Sequence, residues 1–153
     1  MPNIIAFGNE SGGGGETGAG VQIDLLWTNP TLEGPFASQT VTVNMNYDFH
    51  IIVYSGYISD YNVANRLTQS VVLDKGATSC NLINIESLDL GTPILSRRAT
   101  SKQTSGIYFN QNYISKIQSG GSVTSDVDNL GCMPYKIYGV KVTQPNIPGT
   151  TGS

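Results

Sequence analysis

The chain has 153 residues and a net charge of −3, and only 12% of its residues are charged, about half the usual share of a globular protein. A chain of this length fits one domain with a substantial hydrophobic core. The acidic balance argues against a nucleic-acid partner, because phosphate binding needs clustered Lys and Arg. Abundant Ser, Thr, Asn, Gly and Tyr are typical of an extracellular or particle-borne β protein more than of a cytosolic enzyme.

The chain starts with an apolar peptide, MPNIIAF, followed by a segment with seven glycines in thirteen positions, GNESGGGGETGAG. Such a segment cannot bury enough surface to order itself and is typical of a flexible linker. We expect residues 1–20 to be a flexible segment whose apolar side chains, Ile4, Ile5 and Phe7, anchor the chain in a neighbouring protein; a disordered tail is the alternative. Neither a signal peptide nor a membrane span is expected, because the apolar run is too short for both.

Three glycines of this segment, Gly13, Gly15 and Gly18, match the G-x-G-x-x-G spacing of dinucleotide-binding loops. That fingerprint requires a strand before it and a helix after it. No convincing helix follows here, and we therefore expect no cofactor.

The clearest periodic signal covers residues 36–57. Val41, Val43 and Met45 alternate with polar residues, and the run FHIIVY follows. Alternation predicts a strand with one buried face, and the β-branched and aromatic run predicts a strand in the middle of a sheet. We expect the two strands to form a hairpin joined at Asn46–Asp48.

Six further strands are predicted at residues 21–27, 70–73, 79–85, 94–102, 106–109 and 133–142. The strand before the turn Gln103–Ser105 is expected to pair with the strand after it, and residues 110–129 are too polar to suggest a strand. About eight short strands with turn signals every 8–14 residues indicate an all-β fold. We expect a single antiparallel β-sandwich or jelly roll at residues 21–143, followed by a tail at residues 144–153.

No residue pattern in the chain matches a known catalytic motif. The single histidine, His50, lies inside the FHIIVY run, where a lone imidazole is more often a packed or edge residue than a general base. No nucleophile elbow accompanies it. The carboxylates are scattered singly, so the pair that a glycosidase needs is not visible. We predict no catalytic residue and a non-enzymatic function.

Metal binding is not predicted either. Asp126, Asp128 and Gly131 resemble the start of an EF-hand loop, but Leu130 and Ile137 occupy positions where that loop needs ligands. The pattern leaves only loose calcium binding open.

The two cysteines, Cys80 and Cys132, match no zinc or redox spacing, and whether they pair in a disulfide is left open. The one basic cluster consists of Arg97 and Arg98 with Lys102. We expect this cluster at a solvated strand edge.

Tyrosine is the residue type most suited to binding in a chain so poor in charge. Three of the eight tyrosines, Tyr57, Tyr61 and Tyr113, fall in predicted loops, although residues 61–67 would also allow a short helix. Tyrosine rings offer sugars a stacking face and a hydroxyl partner. We therefore consider these three tyrosines candidate ligand-binding residues. The alternative is a structural role, in which tyrosines near strand ends complete the packing of a sheet or of a subunit contact.

Three segments carry a family resemblance: LLWTNPTLEGPFASQTVTVNMNYDFHIIVY, then SRRATSKQTSGIYF, then PYKIYGVK. Their succession resembles the C-terminal domains of tail-fibre, tail-tip and other surface-exposed virion proteins in phages and prophages of Gram-positive gut bacteria. The match covers residues 21–142 and contains no catalytic signature. It implies a trimeric β-sandwich on the virion surface, extracellular after lysis, held to other virion proteins by residues 1–20 and touching host-surface glycans or decorating the particle.

A fibre usually has a long shaft, whereas we expect only the Gly-rich segment before this domain. The location on the particle therefore stays open between a tail fibre or tip and a head fibre or capsid decoration subunit. A stand-alone carbohydrate-binding module of a bacterium is the alternative from another class. A hydrolase acting on capsule or cell wall is the third hypothesis.

Overall fold

The computed structural model describes residues 3–5, 19–32, 34–55, 68–87, 93–117 and 123–144. Within these ranges the chain forms ten β-strands and no helix. The strands are β1 Asn3–Ile5, β2 Gly20–Thr28, β3 Gln39–Thr42, β4 Phe49–Ser55, β5 Thr68–Asp74, β6 Ser79–Ser87, β7 Pro93–Gln103, β8 Gly106–Ile117, β9 Val123–Val127 and β10 Met133–Thr143. None of the described residues lies in a helix long and apolar enough to cross a membrane.

The strands form two antiparallel sheets that pack as a β-sandwich, which confirms the predicted fold class. Sheet A has the order β1-β2-β10-β4-β5. Sheet B has the order β3-β8-β7-β6, and β9 pairs with the second half of β8. Each sheet has one face toward the other sheet and one outer face.

The core between the sheets is built from the inward-facing side chains of both. It comprises Phe36, Val41, Val43, Ile52, Tyr54, Leu73, Leu82, Ile107, Phe109, Cys132, Met133 and Ile137. Phe36 lies edge-to-face with Phe109 at 5.6 Å and with Trp27 at 6.1 Å between ring centroids. Burial of each large apolar side chain contributes about 1.5–3 kcal/mol, which makes this layer the main source of stability.

The hairpin predicted at Asn46–Asp48 is wrong, although both of its strands exist. β3 pairs with β8 in sheet B, whereas β4 pairs with β10 and β5 in sheet A. The intervening residues cross from one sheet to the other, and Val41 and Ile52 reach the same core from opposite sides. Alternation shows which face of a strand is buried, but it does not show which strand lies beside it.

The other predicted connections have mixed outcomes. The β7–β8 hairpin is confirmed, with Gln103 opposite Gly106. The strands predicted at residues 70–73 and 79–85 exist, but the first, β5, lies in sheet A and the second, β6, lies in sheet B. The polar stretch 110–129 is not all loop: it continues β8 to Ile117 and contains β9. Its alternation is hidden because an inward position holds the polar Asn112.

Part of the predicted flexible segment belongs to a sheet. β1 pairs with the outer edge of β2, with Ile4 opposite Gln22 and Ile5 opposite Val21. The anchoring role of Ile4 and Ile5 stays a prediction.

The prediction that the basic cluster lies at a solvated strand edge is wrong for Arg98. Arg98 is fully buried, Arg97 on the same strand is exposed, and Lys102 is half-buried. Successive side chains of a strand point to opposite faces, so the two neighbouring arginines lie in opposite environments. The Lys102 ammonium donates to the carbonyls of Asp74 and Lys75.

Candidate functional site

The outer face of sheet B carries an open groove of about 370 Å³. We call it the sheet-B groove. The residues that line it are Leu95, Arg97, Tyr113, Ser115 and Ser125. They come from three adjacent strands, β7, β8 and β9.

Strand pairing places these side chains side by side. Arg97 is directly opposite Tyr113, and Ser115 lies between Leu95 and Ser125 in the next row. Because residues two apart on a strand share a face, the two rows form one continuous surface. The Tyr113 side chain is 41% exposed and Leu95 is 37% exposed, so a ligand has access to both.

Aliphatic side chains extend both rows across the sheet. Ile83 and Val127 flank the row of Arg97 and Tyr113, and Ile85 lies beside Leu95. Ile85 is 69% exposed and Val127 is 51% exposed. The groove thus combines apolar and aromatic side chains with a few polar groups, as ligand-binding sites do.

The strands beneath the groove are fixed by a buried polar network. Asn112 donates from Nδ2 to the Ser96 hydroxyl at 2.9 Å and to the Asp128 carbonyl at 2.8 Å. Its backbone N–H donates to Asn129 Oδ1 at 3.1 Å. Both Ser96 and Asn112 are fully buried. The network holds β7, β8 and the loop before β10 together, so the groove sits on a rigid base.

Arg98 is the largest member of this buried polar layer. Its guanidinium donates to the backbone carbonyls of five residues: Phe36, Asn110, Asn129, Gly131 and Cys132. Desolvation lowers the pKa of Arg98 to about 10, so the group remains charged at neutral pH. It ties the β2–β3 connection, β8 and the β9–β10 connection to one side chain.

The groove offers several groups that can bind a ligand. A tyrosine ring, a guanidinium and two serine hydroxyls offer a stacking face and several hydrogen-bonding groups. The five lining side chains include no carboxylate, thiol or imidazole. Among the described residues, no group of three His, Cys, Asp or Glu side chains could hold a metal ion.

A second depression, of about 260 Å³, lies beside the β2–β3 connection. Trp27 and Phe36 line it, but both rings also pack with each other at the edge of the core. Asn29 is 5% exposed, donating to the Pro134 carbonyl and accepting from the Thr31 N–H. Its polar groups are already occupied, so this depression is the weaker candidate.

Of the three tyrosines predicted to bind, Tyr113 lies in the groove. The loop predicted around it is wrong, because Tyr113 lies within β8. Tyr57, Tyr61 and the anchor residue Phe7 lie outside the described residues. Sequence reasoning missed the other four lining residues, since strand pairing alone brings them to Tyr113.

His50 is a packed residue, as predicted. It is 1% exposed, and its Nε2 donates to the Asn44 carbonyl at 3.0 Å. Its ring packs edge-on against Tyr47 with 5.9 Å between centroids. Nδ1 is buried without a hydrogen-bond partner among the described residues.

The aspartates of the EF-hand-like segment have structural positions. Asp128 accepts the Leu130 N–H through Oδ1 at 2.9 Å and thereby caps the turn that leads to β10. Asp126 is exposed in β9, opposite Ile114 of β8. The segment is thus a strand followed by a turn.

The two cysteines are free thiols. Cys132 is fully buried, and desolvation raises its pKa to about 11. Desolvation also raises the pKa of the half-buried Cys80.

Thiol titration at pH 8 should therefore show slow reaction of Cys80 and none of Cys132 in the folded protein, since the thiolate is the reactive form. Unfolding in guanidinium chloride should expose both thiols to dithionitrobenzoate. Cys80→Ser should abolish the signal of the folded protein. Two rapid equivalents from the folded chain, or none after unfolding, would contradict the structure.

The chain matches no family model, and neither a curated protein nor a solved structure matches it. The function proposed for it therefore rests on its own residues.

Proposed function

We propose that the chain is a non-enzymatic, surface-exposed virion protein whose β-sandwich attaches to host-surface glycans through the sheet-B groove. The observation that carries this proposal is the composition of the groove. Tyr113 and Arg97 lie directly opposite each other on neighbouring strands, with Leu95 and two serines in the next row.

This set of side chains suits a sugar ring. The apolar face of a pyranose can pack on the Tyr113 ring or on Leu95. The sugar hydroxyls can accept hydrogen bonds from Arg97, and they can both donate to and accept from the hydroxyls of Ser115 and Ser125. The guanidinium also favours sugars that carry a carboxylate or another acidic substituent, because it can bind such a group with two parallel hydrogen bonds.

Placement on a virion is supported by the motif strings LLWTNP, SRR and PYKIYG. The first covers the end of β2 and the two residues after it, the second lies within β7 and the third within β10, so the strings contribute to both sheets of the sandwich. In this proposal residues 1–20 hold the chain to other virion proteins, and the particle releases it outside the cell on lysis.

Immunogold electron microscopy of phage particles, with antibody against residues 21–142, tests this placement. Label at the tail end would make the chain a tail fibre or tip, and label over the head would make it a head fibre or decoration subunit. Absence from every particle would reject the virion role and favour the stand-alone carbohydrate-binding module of a bacterium, which the same groove would serve.

Substitution of Tyr113 by Ala should weaken binding to host cells about fivefold, because an aromatic contact contributes on the order of 1 kcal/mol beyond its buried area. The matched control is Tyr108→Ala. Tyr108 lies on the same strand, opposite Ser101 and roughly 17 Å away along β8. A bulge between the two tyrosines keeps both on the outer face. Cell-binding assays with labelled protein measure the difference. Equal binding by the two variants would move the ligand site away from the groove.

A further inference from the structure

The outer face of sheet A carries many apolar side chains. Four strands contribute to it, and we call this surface the sheet-A outer face. Its apolar members are Val21, Ile23, Leu25, Phe49, Ile51, Val53, Val72, Tyr138, Val140 and Val142.

Cross-strand pairing arranges these side chains in rows. One row runs Leu25, Tyr138, Ile51, Val72 across β2, β10, β4 and β5. A neighbouring row runs through Ile23, Val140 and Phe49. None of them belongs to the core cluster between the sheets, although Val140 is only 1% exposed.

Three members of the face are markedly open to solvent. Leu25 is 54% exposed, Val72 is 57% exposed and Val142 is 44% exposed. They lie on three different strands, so the exposed apolar area spans the sheet. An antiparallel sheet with one solvated face normally alternates apolar and polar residues, whereas strands apolar on both sides are typical of sheets covered on both sides.

Two charged side chains lie on this face among the described residues, and both are outside its central row. Lys136 stands in the row of Val53 and Ser70, and Asp74 ends the row of Phe49. The central row has no charged side chain. A face without central charge can pack on its own copy, despite the net charge of −3 on each chain, because association brings no like charges into its centre.

The dimensions also suit self-association. Four strands about 4.8 Å apart and four rows about 6.8 Å apart cover roughly 500 Å² in projection. Two such faces together bury on the order of 1,000 Å², which is the lower limit for a specific protein interface.

We propose that a second copy of this chain covers the sheet-A outer face. The contact is apolar at its centre and bordered by Lys136 and Asp74. It leaves the sheet-B groove, on the opposite face of the sandwich, free for a ligand. The proposal does not depend on what the groove binds.

The test compares the full-length chain with two single variants by sedimentation velocity and light scattering. We expect the unmodified protein to have at least twice the chain mass of 16.3 kDa, and Val72→Glu to reduce the mass to that of one chain. Ile85→Glu is the matched control, since Ile85 is 69% exposed on the outer face of sheet B; this variant should keep the oligomer. Leu25→Glu, at the other side of the sheet-A outer face, should repeat the effect of Val72→Glu.

Circular dichroism melting must show that each variant is folded. A monomeric unmodified protein would overturn the proposal, and would indicate that another protein or the chain's own terminal residues cover the face. Loss of the oligomer in Ile85→Glu but not in Val72→Glu or Leu25→Glu would also overturn it, since the interface would then lie on sheet B. Either failure would leave the glycan proposal standing, because binding by the groove is measured separately.

Discussion

Replacing Arg98 with Met should destabilise the protein by at least about 3 kcal/mol, because the backbone carbonyls that the guanidinium satisfies would remain buried without that donor. The five carbonyls belong to three separate segments of the chain. Methionine fills much of the space of the arginine stem, so the loss reports hydrogen bonds more than a cavity. Guanidinium chloride unfolding, followed by tryptophan fluorescence, measures the change.

Arg97→Met is the matched control for this prediction. Arg97 is the preceding residue of β7, and its side chain is exposed on the other face. Its replacement should change the free energy of unfolding by less than about 0.5 kcal/mol. Arg98→Lys should remain strongly destabilised, because an ammonium cannot reproduce the planar set of five donors. Equal stability of Arg98→Met and Arg97→Met would show that the buried network is dispensable.

The arginine pair shows why sequence reasoning reached the strand but not its orientation. In β7 the inward positions are Ile94, Ser96, Arg98 and Thr100. Three of these four are polar, so the usual apolar signal of a buried face is missing. Composition therefore indicated a solvated edge. The buried partners of Arg98 are backbone carbonyl groups that the fold brings close together. Every residue has such a carbonyl, so the sequence does not show which of them accept from Arg98.

The positions of the strands in the chain were predicted better than the pairing between strands, for a similar reason. The runs at 21–27, 49–54 and 133–142 coincide with β2, β4 and β10, because β-branched and aromatic residues suit a pleated surface. In sheet A, however, β10 lies between β2 and β4. Pairing between strands so far apart in the chain depends on the whole topology, which local alternation does not describe.

The sequence predicted only one residue of the candidate site as a ligand-binding residue. Tyr113 stood out as an aromatic residue in a polar segment, but its partners Arg97 and Ser125 lie on other strands. Arg97 was expected only to solvate an edge. The apolar outer face of sheet A was also missed, because exposure depends on which side of a strand meets the other sheet.

Gly106→Ala should destabilise the protein by about 3 kcal/mol and lower its melting temperature by about 10 °C, because there is no room for a methyl group. A Cβ at Gly106 would overlap the carbonyl oxygen of Val41 and lie 2.9 Å from the carbonyl carbon. These are backbone atoms of β3, which is only four residues long and pairs with β8 at this point. The added methyl group must push β3 away from sheet B, and Val41 would lose its place in the core.

The matched control is Gly76→Ala, in the turn between β5 and β6. No atom lies within 4 Å of an added Cβ there, and the φ angle is one that alanine adopts. Alanine restricts the unfolded chain, so this variant should be unchanged or more stable by up to about 1 kcal/mol. Hydrogen exchange should show faster exchange in β3 and the paired half of β8 for Gly106→Ala only. If both variants melt together, the close approach of β3 to Gly106 is not present in solution.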